Sequence, residues 1–213
     1  MTVRSPAPRG SSRAAELLNH PSLEPRRIAR AALPVIFVLG LLGLACYEKY
    51  LRTFLFGLDA EFNAPALWSF GLLAGAGGVA LMTSMAMRSG AAAAFGAVLV
   101  YMAIDELFQI HERLERATGT DWQELYLPIV VLAGGAAIGV LFQMRKMGAR
   151  TPALLLIGGG ASWLVAQMLE WLQWDGTERG AGYIPMAVTE EMLEMGGALL
   201  FALALLVWTR DRH

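Results

Sequence analysis

The sequence predicts an all-α membrane protein, a polytopic bundle of about six transmembrane helices with both termini in the cytoplasm. Hydrophobic residues make up 56% of the chain, charged residues only 16%, and the mean hydropathy is +0.48, which exceeds what a soluble domain usually carries. The charges are concentrated between apolar runs that are long enough to cross a hydrocarbon core of about 30 Å. The single cysteine, Cys46, excludes intrachain disulfides and cysteine-pair metal sites.

The chain divides into three parts by composition. Residues 1–27 are rich in proline, serine and arginine and contain few large apolar residues. Such a composition predicts a disordered, basic cytoplasmic arm. Residues 28–210 are predicted to form one six-span membrane domain, and residues 211–213 a cytoplasmic tail.

Six apolar segments follow the arm, and each is predicted to be a helix because irregular backbone would leave unsatisfied amides in hydrocarbon. The segments are residues 31–47, 66–87, 91–108, 126–144, 152–172 and 186–208. The first is short and follows arginines, so a cleaved secretory signal is the alternative interpretation. Gly43 stands where a lipoprotein cleavage box carries a large aliphatic residue, which favours a retained span.

Lysine and arginine are distributed unequally between alternate loops. Twelve of the 17 lie on one side of the predicted membrane and five on the other. The positive-inside rule predicts that the richer side is cytoplasmic, which places a multi-pass protein in the plasma (inner) membrane with both termini inside. Of the 18 acids, 15 lie on the opposite side. The outer face is therefore predicted to be strongly acidic.

Several of these acids are predicted to lie within the membrane, just inside the outer interface. On four helices, carboxylates fall roughly 24 to 30 Å from the basic residue at the inner end of the same helix, at about 1.5 Å per residue. An ionisable group at that depth is costly in lipid and normally faces the bundle interior or a wet cavity. The helices are therefore expected to converge on one site. The acids at this depth are Glu48, Asp105, Glu106, Glu170, Glu190 and Glu194, with His111 at the mouth of the site.

The helical period limits which side chains can face one another. In the third span, at about 100° per residue, Asp105, Gln109 and Glu112 are predicted to share a face. His111 is predicted to occupy a different face of that helix. In the sixth span, the glycine pair 196–197 is expected to let a neighbouring backbone approach closely.

Carboxylates with one imidazole and no thiolate suit hard or borderline cations, so the sequence predicts a divalent metal such as iron, manganese or zinc. The predicted ligands are Asp105, Glu106, His111, Glu170, Glu190 and Glu194. The residues predicted to be catalytic are Asp105, Glu106 and Glu170. Acids crowded together in a low dielectric also repel one another, so without a cation at least one should keep its proton, as a proton relay requires.

Three classes of function fit this pattern: a membrane-embedded metal-dependent enzyme or metal-handling protein, a proton- or ion-conducting transport protein, and a structural or accessory subunit. A conductor needs polar residues through the inner half of the bundle, where the sequence offers little beyond Thr83, Ser84, Gln143 and Trp208. The small-residue faces at 71–75 and 135–139 would serve helix packing, a homo-oligomer or a membrane partner.

Simpler interpretations compete for some of these residues. Glu190 and Glu191 lie near the start of the sixth span and His111 near the end of the third, where charges favourably meet the helix dipole. Glu170 and Glu194 are flanked by apolar turns, which favours a functional role. The three histidines are too few for the multi-histidine sites of membrane desaturases and hydroxylases. The glycine clusters lie inside apolar spans, so the expected partner is the lipid bilayer and not a nucleotide or nucleic acid.

Overall fold

The computed structural model describes residues 12–47, 54–56, 63–175, 178–180 and 182–211. Within these ranges the chain is almost entirely helical. The helices in chain order are α1 (Ser12–Leu18), α2 (Pro25–Tyr47), α3 (Ala64–Met87), α4 (Gly90–Phe108), α5 (Ile110–Thr118), α6 (Trp122–Lys146), α7 (Arg150–Leu172) and α8 (Tyr183–Arg210). All except α1 and α5 are long and apolar enough to cross a membrane. The predicted all-α bundle of six spans is confirmed, and the chain is an integral membrane protein.

Polar side chains fix where three of the spanning helices begin. The side chain of Asn63 accepts a hydrogen bond from a backbone N–H in the first turn of α3, and Ser89 does the same for α4. Asp121 caps α6 in the same way. Such a cap stabilises a helix by about 1 kcal/mol because it satisfies an N–H that has no partner within the helix. The helices therefore extend a few residues beyond the apolar segments.

Helix α8 is the most buried of the spanning helices and organises the bundle. It packs along α7, α3 and α2, while α4 packs along α3 and contacts α6. Leu205, Leu206 and Trp208 of α8 are fully buried, and they belong to the main apolar core. The core therefore lies toward the end of the bundle where α8 finishes.

Two helix pairs cross at glycines. A Cβ on Gly77 of α3 would lie 3.1 Å from the carbonyl oxygen of Gly96 on α4, and a Cβ on Gly159 of α7 would lie 3.0 Å from that of Gly197 on α8. Such close backbone approach is possible only because neither helix has a side chain at the crossing. The close approach expected at 196–197 is confirmed at Gly197, whereas a Cβ on Gly196 would meet nothing within 4 Å.

The segment before α2 is folded from residue 12 onward, which differs from the disordered arm expected over residues 1–27. Helix α1 packs on α3 and α8, and Leu18 is fully buried in the main core. Arg210, at the end of α8, donates hydrogen bonds to the carbonyl oxygens of Leu18 (3.2 Å) and His20 (2.8 Å). One buried leucine and two backbone acceptors thus dock a segment whose composition alone predicts disorder. Residues 1–11 lie outside the described residues.

A short hairpin joins α7 to α8. Strand β1 (Trp174–Asp175) pairs antiparallel with strand β2 (Glu178–Arg179), and Trp174 is opposite Arg179. The backbone N–H of Gly180 donates to the carbonyl oxygen of Gln173 at 2.7 Å, next to the Trp174–Arg179 pair. The hairpin lies at the end of the bundle that carries the acids.

Candidate functional site

The site begins where α4 ends. Gln109, the residue after α4, has a left-handed backbone conformation (φ 47°), and α5 starts at Ile110 in a new direction. The predicted span ends correctly at Phe108, but the prediction that the same helix continues through Glu112, with His111 on a different face from Asp105, is wrong. The turn brings the His111 side chain back onto Asp105.

Asp105 is buried, with 8% of its surface exposed, and accepts hydrogen bonds from three groups. One oxygen accepts from the backbone N–H of His111 (2.9 Å) and from the hydroxyl of Tyr126 (2.7 Å). The other lies 2.8 Å from Nδ1 of His111. Since an ionised carboxylate only accepts, Nδ1 carries the proton in this contact. Tyr101 in turn donates to the Tyr126 hydroxyl at 2.9 Å, because that hydroxyl has already given its proton to Asp105.

The His111 ring is held by aromatic neighbours as well as by Asp105. Its centroid lies 5.2 Å from that of Trp122 and 6.2 Å from that of Tyr126. Burial by itself lowers the pKa of His111, but the hydrogen bond and charge of Asp105, with smaller contributions from Glu112 and Glu106, raise it above its ordinary value. Among the described residues none hydrogen-bonds Nε2, so this nitrogen is available to a ligand.

Glu170, near the end of α7, is held from α6. One of its oxygens accepts a hydrogen bond from Nε1 of Trp122 at 3.0 Å, and the other accepts from the amide of Gln123 at 3.4 Å. Trp122 therefore contacts both the His111 ring and the Glu170 carboxylate. This links the two sides of the site through one side chain.

Three further acids of the site each accept a hydrogen bond from a neutral donor. The amide of Gln167 donates to Glu194 at 3.3 Å, and the amide of Gln173 donates to Glu190. Glu106 accepts from the hydroxyl of Ser69 on α3. None of these partners carries a positive charge, so the hydrogen bonds position the carboxylates without neutralising them.

All six predicted site residues line one cavity of about 750 Å³ between α4, α6, α7 and α8. Three other acids of the cavity, Glu106, Glu190 and Glu170, lie close enough to Glu194 to repel its charge. The described lining residues include seven acids, while the basic ones are Arg179 and His111. The expected convergence of helices on one acidic site is therefore seen, except for Glu48, which lies outside the described residues.

In the part of the chain that the structure describes, no three carboxylate, imidazole or thiolate groups are close enough together to hold a metal ion as they stand. The acids Glu106, Glu170, Glu190 and Glu194 accept hydrogen bonds from hydroxyl, indole or amide donors instead. Binding a metal would therefore require rotation about side-chain bonds that brings these carboxylates closer together.

Residues 28–209 match a family model described as Domain of unknown function (DUF8692), and this match covers nearly all of the six spanning helices. The chain belongs to this family. No curated protein and no solved structure matches the chain significantly. The geometry of the cavity therefore has to carry the functional argument.

The opposite half of the bundle is packed differently. Thr83 and Thr209 hydrogen-bond to each other at 3.0 Å, and both are fully buried. Trp208 is also fully buried, and its indole nitrogen has no partner among the described residues. Thr83 and Trp208, two of the polar residues that the sequence offered for a conducting path, are therefore buried in the packed interior.

The sequence did not identify the donors that hold the acids. Trp122 and Tyr126 lie four residues apart on one face of α6, and their position near an interface is typical of an aromatic belt, which hid their contacts to the site. Gln173 follows the end of α7 and carries no sequence signal that would separate it from an ordinary polar residue. Only the packing of α6 and α8 against α7 shows these roles.

Proposed function

We propose that the acidic cavity is a metal-binding site of a membrane-embedded enzyme or metal-handling protein. In this proposal a divalent cation (iron, manganese or zinc) is bound by Nε2 of His111 together with carboxylates of Glu106, Glu190 and Glu194. These donors suit such cations because they offer oxygen and imidazole nitrogen without thiolate. Glu170 faces the same cavity and is the candidate acid or base beside the metal.

The hydrogen bond between His111 and Asp105 carries this proposal. A histidine that binds metal almost always donates its other ring N–H to a carboxylate, which fixes the tautomer and the ring orientation. Nδ1 of His111 makes this contact at 2.8 Å while Nε2 has no partner among the described residues. Asp105 is then a positioning residue and not a ligand, because both its oxygens already accept hydrogen bonds.

The uneven charge of the cavity supports a cation as its ligand. Crowded carboxylates repel one another in a medium of low dielectric, and a divalent cation among them offsets that repulsion. The lysine and arginine distribution supports an orientation in which the cavity opens to the outside of the plasma membrane and both termini lie in the cytoplasm.

Melting of the purified protein in detergent tests the proposal. A ligand at a hundredfold excess over its dissociation constant stabilises the folded state by about 2.7 kcal/mol, so iron, manganese or zinc should raise the melting temperature and a chelator should lower it. His111→Asn and Glu106→Gln should lose this response. Glu124→Gln, an exposed acid on α6, is the matched control and should keep it.

One set of results would contradict the proposal. A protein that purifies without metal, and whose melting ignores all three cations between about pH 6 and 8, does not have this site. The cavity would then be a hydrogen-bonded network of acids that hold protons, and the proton-handling function would replace the metal-binding one.

A further inference from the structure

The acidic cavity continues into an apolar slot between α6 and α7. On α7, lining residues recur every three or four positions, from Ile157 through Gly160 and Leu164 to Gln167 and Glu170. Residues at this spacing share one face of a helix. That face is apolar at one end and acidic at the other.

The lining face of α6 has the same gradient in the opposite chain direction. Trp122 and Tyr126 border the acids, and Val130, Gly134 and Ile138 follow away from them. We define the slot by the apolar lining residues of the two helices, which are Val130, Gly134, Ile138, Ile157, Gly160 and Leu164. From Ile157 to the first polar residue on α7 the slot is about 15 Å long, at about 1.5 Å per residue.

The slot opens to the side of the bundle. Ile138 and Leu164, on its two edges, are 67% and 68% exposed, and α6 and α7 touch each other over little of their length. A Cβ on Gly134 or Gly160 would meet nothing within 4 Å, so both lining positions border open space. In a membrane this side faces acyl chains, and one leaflet contributes about 15 Å of the hydrocarbon core. The slot therefore matches the length of one acyl chain.

The charge at the acidic end of the slot selects the headgroup. Seven acids line the cavity against Arg179 and His111, so an anionic headgroup would be repelled. A protonated amine has three hydrogen-bond donors and one positive charge. It would complement the carboxylates of Glu170 and Glu194, which accept hydrogen bonds from the neutral side chains of Trp122, Gln123 and Gln167.

We propose that the cavity and the slot together bind one membrane lipid with a positively charged amine headgroup. Its acyl chain enters from the bilayer and lies between α6 and α7, and its amine lies among the carboxylates. The inference goes beyond the metal site, since the slot residues are not metal ligands and amine binding needs no metal.

Binding of three matched probes to the full-length protein in phosphatidylcholine nanodiscs tests the inference. Oleylamine should bind and raise the melting temperature. Oleic acid has the same chain with the opposite charge, and propylamine has the same headgroup without the chain, so both should bind at least tenfold more weakly. Equal binding of oleylamine and oleic acid would contradict the charge argument, and equal binding of oleylamine and propylamine would contradict the slot.

Substitutions in the slot locate the chain. Gly134→Leu should weaken oleylamine binding at least tenfold because a leucine at this lining position occupies space in the slot, while its Cβ meets no other atom within 4 Å. Gly135→Leu is the matched control, since Gly135 is the next residue on α6, has equally open space and does not line the cavity. Gly160→Leu repeats the test from α7 should the first variant fold poorly.

The two proposals fail in different ways. Gly134→Leu should keep the melting response to metal, which needs only the acids and His111. Suppose that the wild-type protein shows no melting response to metal, while Gly134→Leu still weakens oleylamine binding. The metal site would then be contradicted and the lipid site supported. Wild-type oleylamine affinity in both slot variants would overturn the lipid site alone.

Discussion

Asp105 is the residue on which the local structure of the site depends. Its carboxylate accepts hydrogen bonds from the start of α5, from the His111 ring and from Tyr126, so three elements meet at one side chain. The backbone N–H of His111 lies in the first turn of α5, where a negative charge is also favoured by the helix dipole. The carboxylate thus caps α5 although it belongs to α4.

The first prediction concerns this carboxylate. Asp105→Asn should lower the free energy of unfolding by about 1–3 kcal/mol, because the amide NH₂ group cannot accept from the donors that surround it. Tyr126→Phe removes one of these hydrogen bonds and should cost about 1 kcal/mol. Denaturant unfolding in detergent measures both. Glu124→Gln serves as the control, and a change equal to that of Asp105→Asn in this exposed residue would remove the special role of Asp105.

The second prediction concerns Glu194, where the amide substitution should stabilise the protein and not destabilise it. Glu194→Gln should raise the melting temperature of the metal-free protein, because the amide is not repelled by Glu106, Glu190 and Glu170 and can still accept from Gln167. The same variant should lose the metal response. If Glu194→Gln instead melts at a lower temperature than the wild-type protein in chelator, the charge of Glu194 stabilises the fold and the prediction is wrong.

The third prediction follows from the raised pKa of His111. A histidine whose folded-state pKa exceeds its unfolded value of about 6.5 contributes stability that is fully present below that value. This contribution is lost as the pH rises through the folded-state pKa. In chelator, the wild-type protein should therefore lose stability on going from about pH 6 to pH 9 relative to His111→Gln. Parallel pH profiles of the two proteins would show that the charge of His111 does not stabilise the fold.

At the scale of elements, the glycine crossing of α7 and α8 gives the fourth prediction. Gly197→Ala places a methyl group against the Trp163 ring and 3.0 Å from the carbonyl oxygen of Gly159, so the two helices must separate. Overpacking of this kind costs about 1–3 kcal/mol. Gly196→Ala, one residue away, adds a methyl group in open space and should be neutral or slightly stabilising. Thermal melting of the two variants in the same detergent provides the comparison.

The elements themselves could be predicted because hydrocarbon leaves the backbone few choices. A run of apolar residues of sufficient length has to be helical in a bilayer, so the six spans follow from composition alone. The break at Gln109 could not be predicted in this way. A left-handed residue is usually glycine or asparagine, and here a glutamine adopts this conformation because Asp105 binds the helix that follows it. The contact that causes the break exists only in the folded chain.

The depth of the site along the helices could be predicted, but the side-chain contacts within it could not. Counting residues from the basic end placed the acids of α4, α7 and α8 at one depth, and these acids do line one cavity. Rotation of each helix about its axis, and the choice of Gln167 and Gln173 as donors, depend on packing between α7 and α8. Composition carries little information about that rotation, because apolar residues are spread evenly around α8.

At the scale of the whole molecule, the fifth prediction is the orientation in the membrane. Helix α1 and the end of α8 are joined by Arg210, so both lie at the basic end of the bundle. Reporter fusions after Arg88 and after Lys146 should give cytoplasmic signals, and a fusion after Thr120 should give a signal from the other side. A periplasmic signal at Arg88 or Lys146 would overturn the proposed orientation.

The central place of α8 has a consequence for how the protein is made. This helix follows in the chain every helix that it packs against, namely α1, α2, α3 and α7. During translation those partners enter the bilayer first, and the surfaces that α8 later covers stay in contact with lipid or with the insertion machinery. Assembly is therefore a late event, and a nascent chain that stops before Tyr183 should be inserted but recognised by quality-control proteases. Supplying α8 as a separate polypeptide in the same cell should rescue such a fragment from degradation.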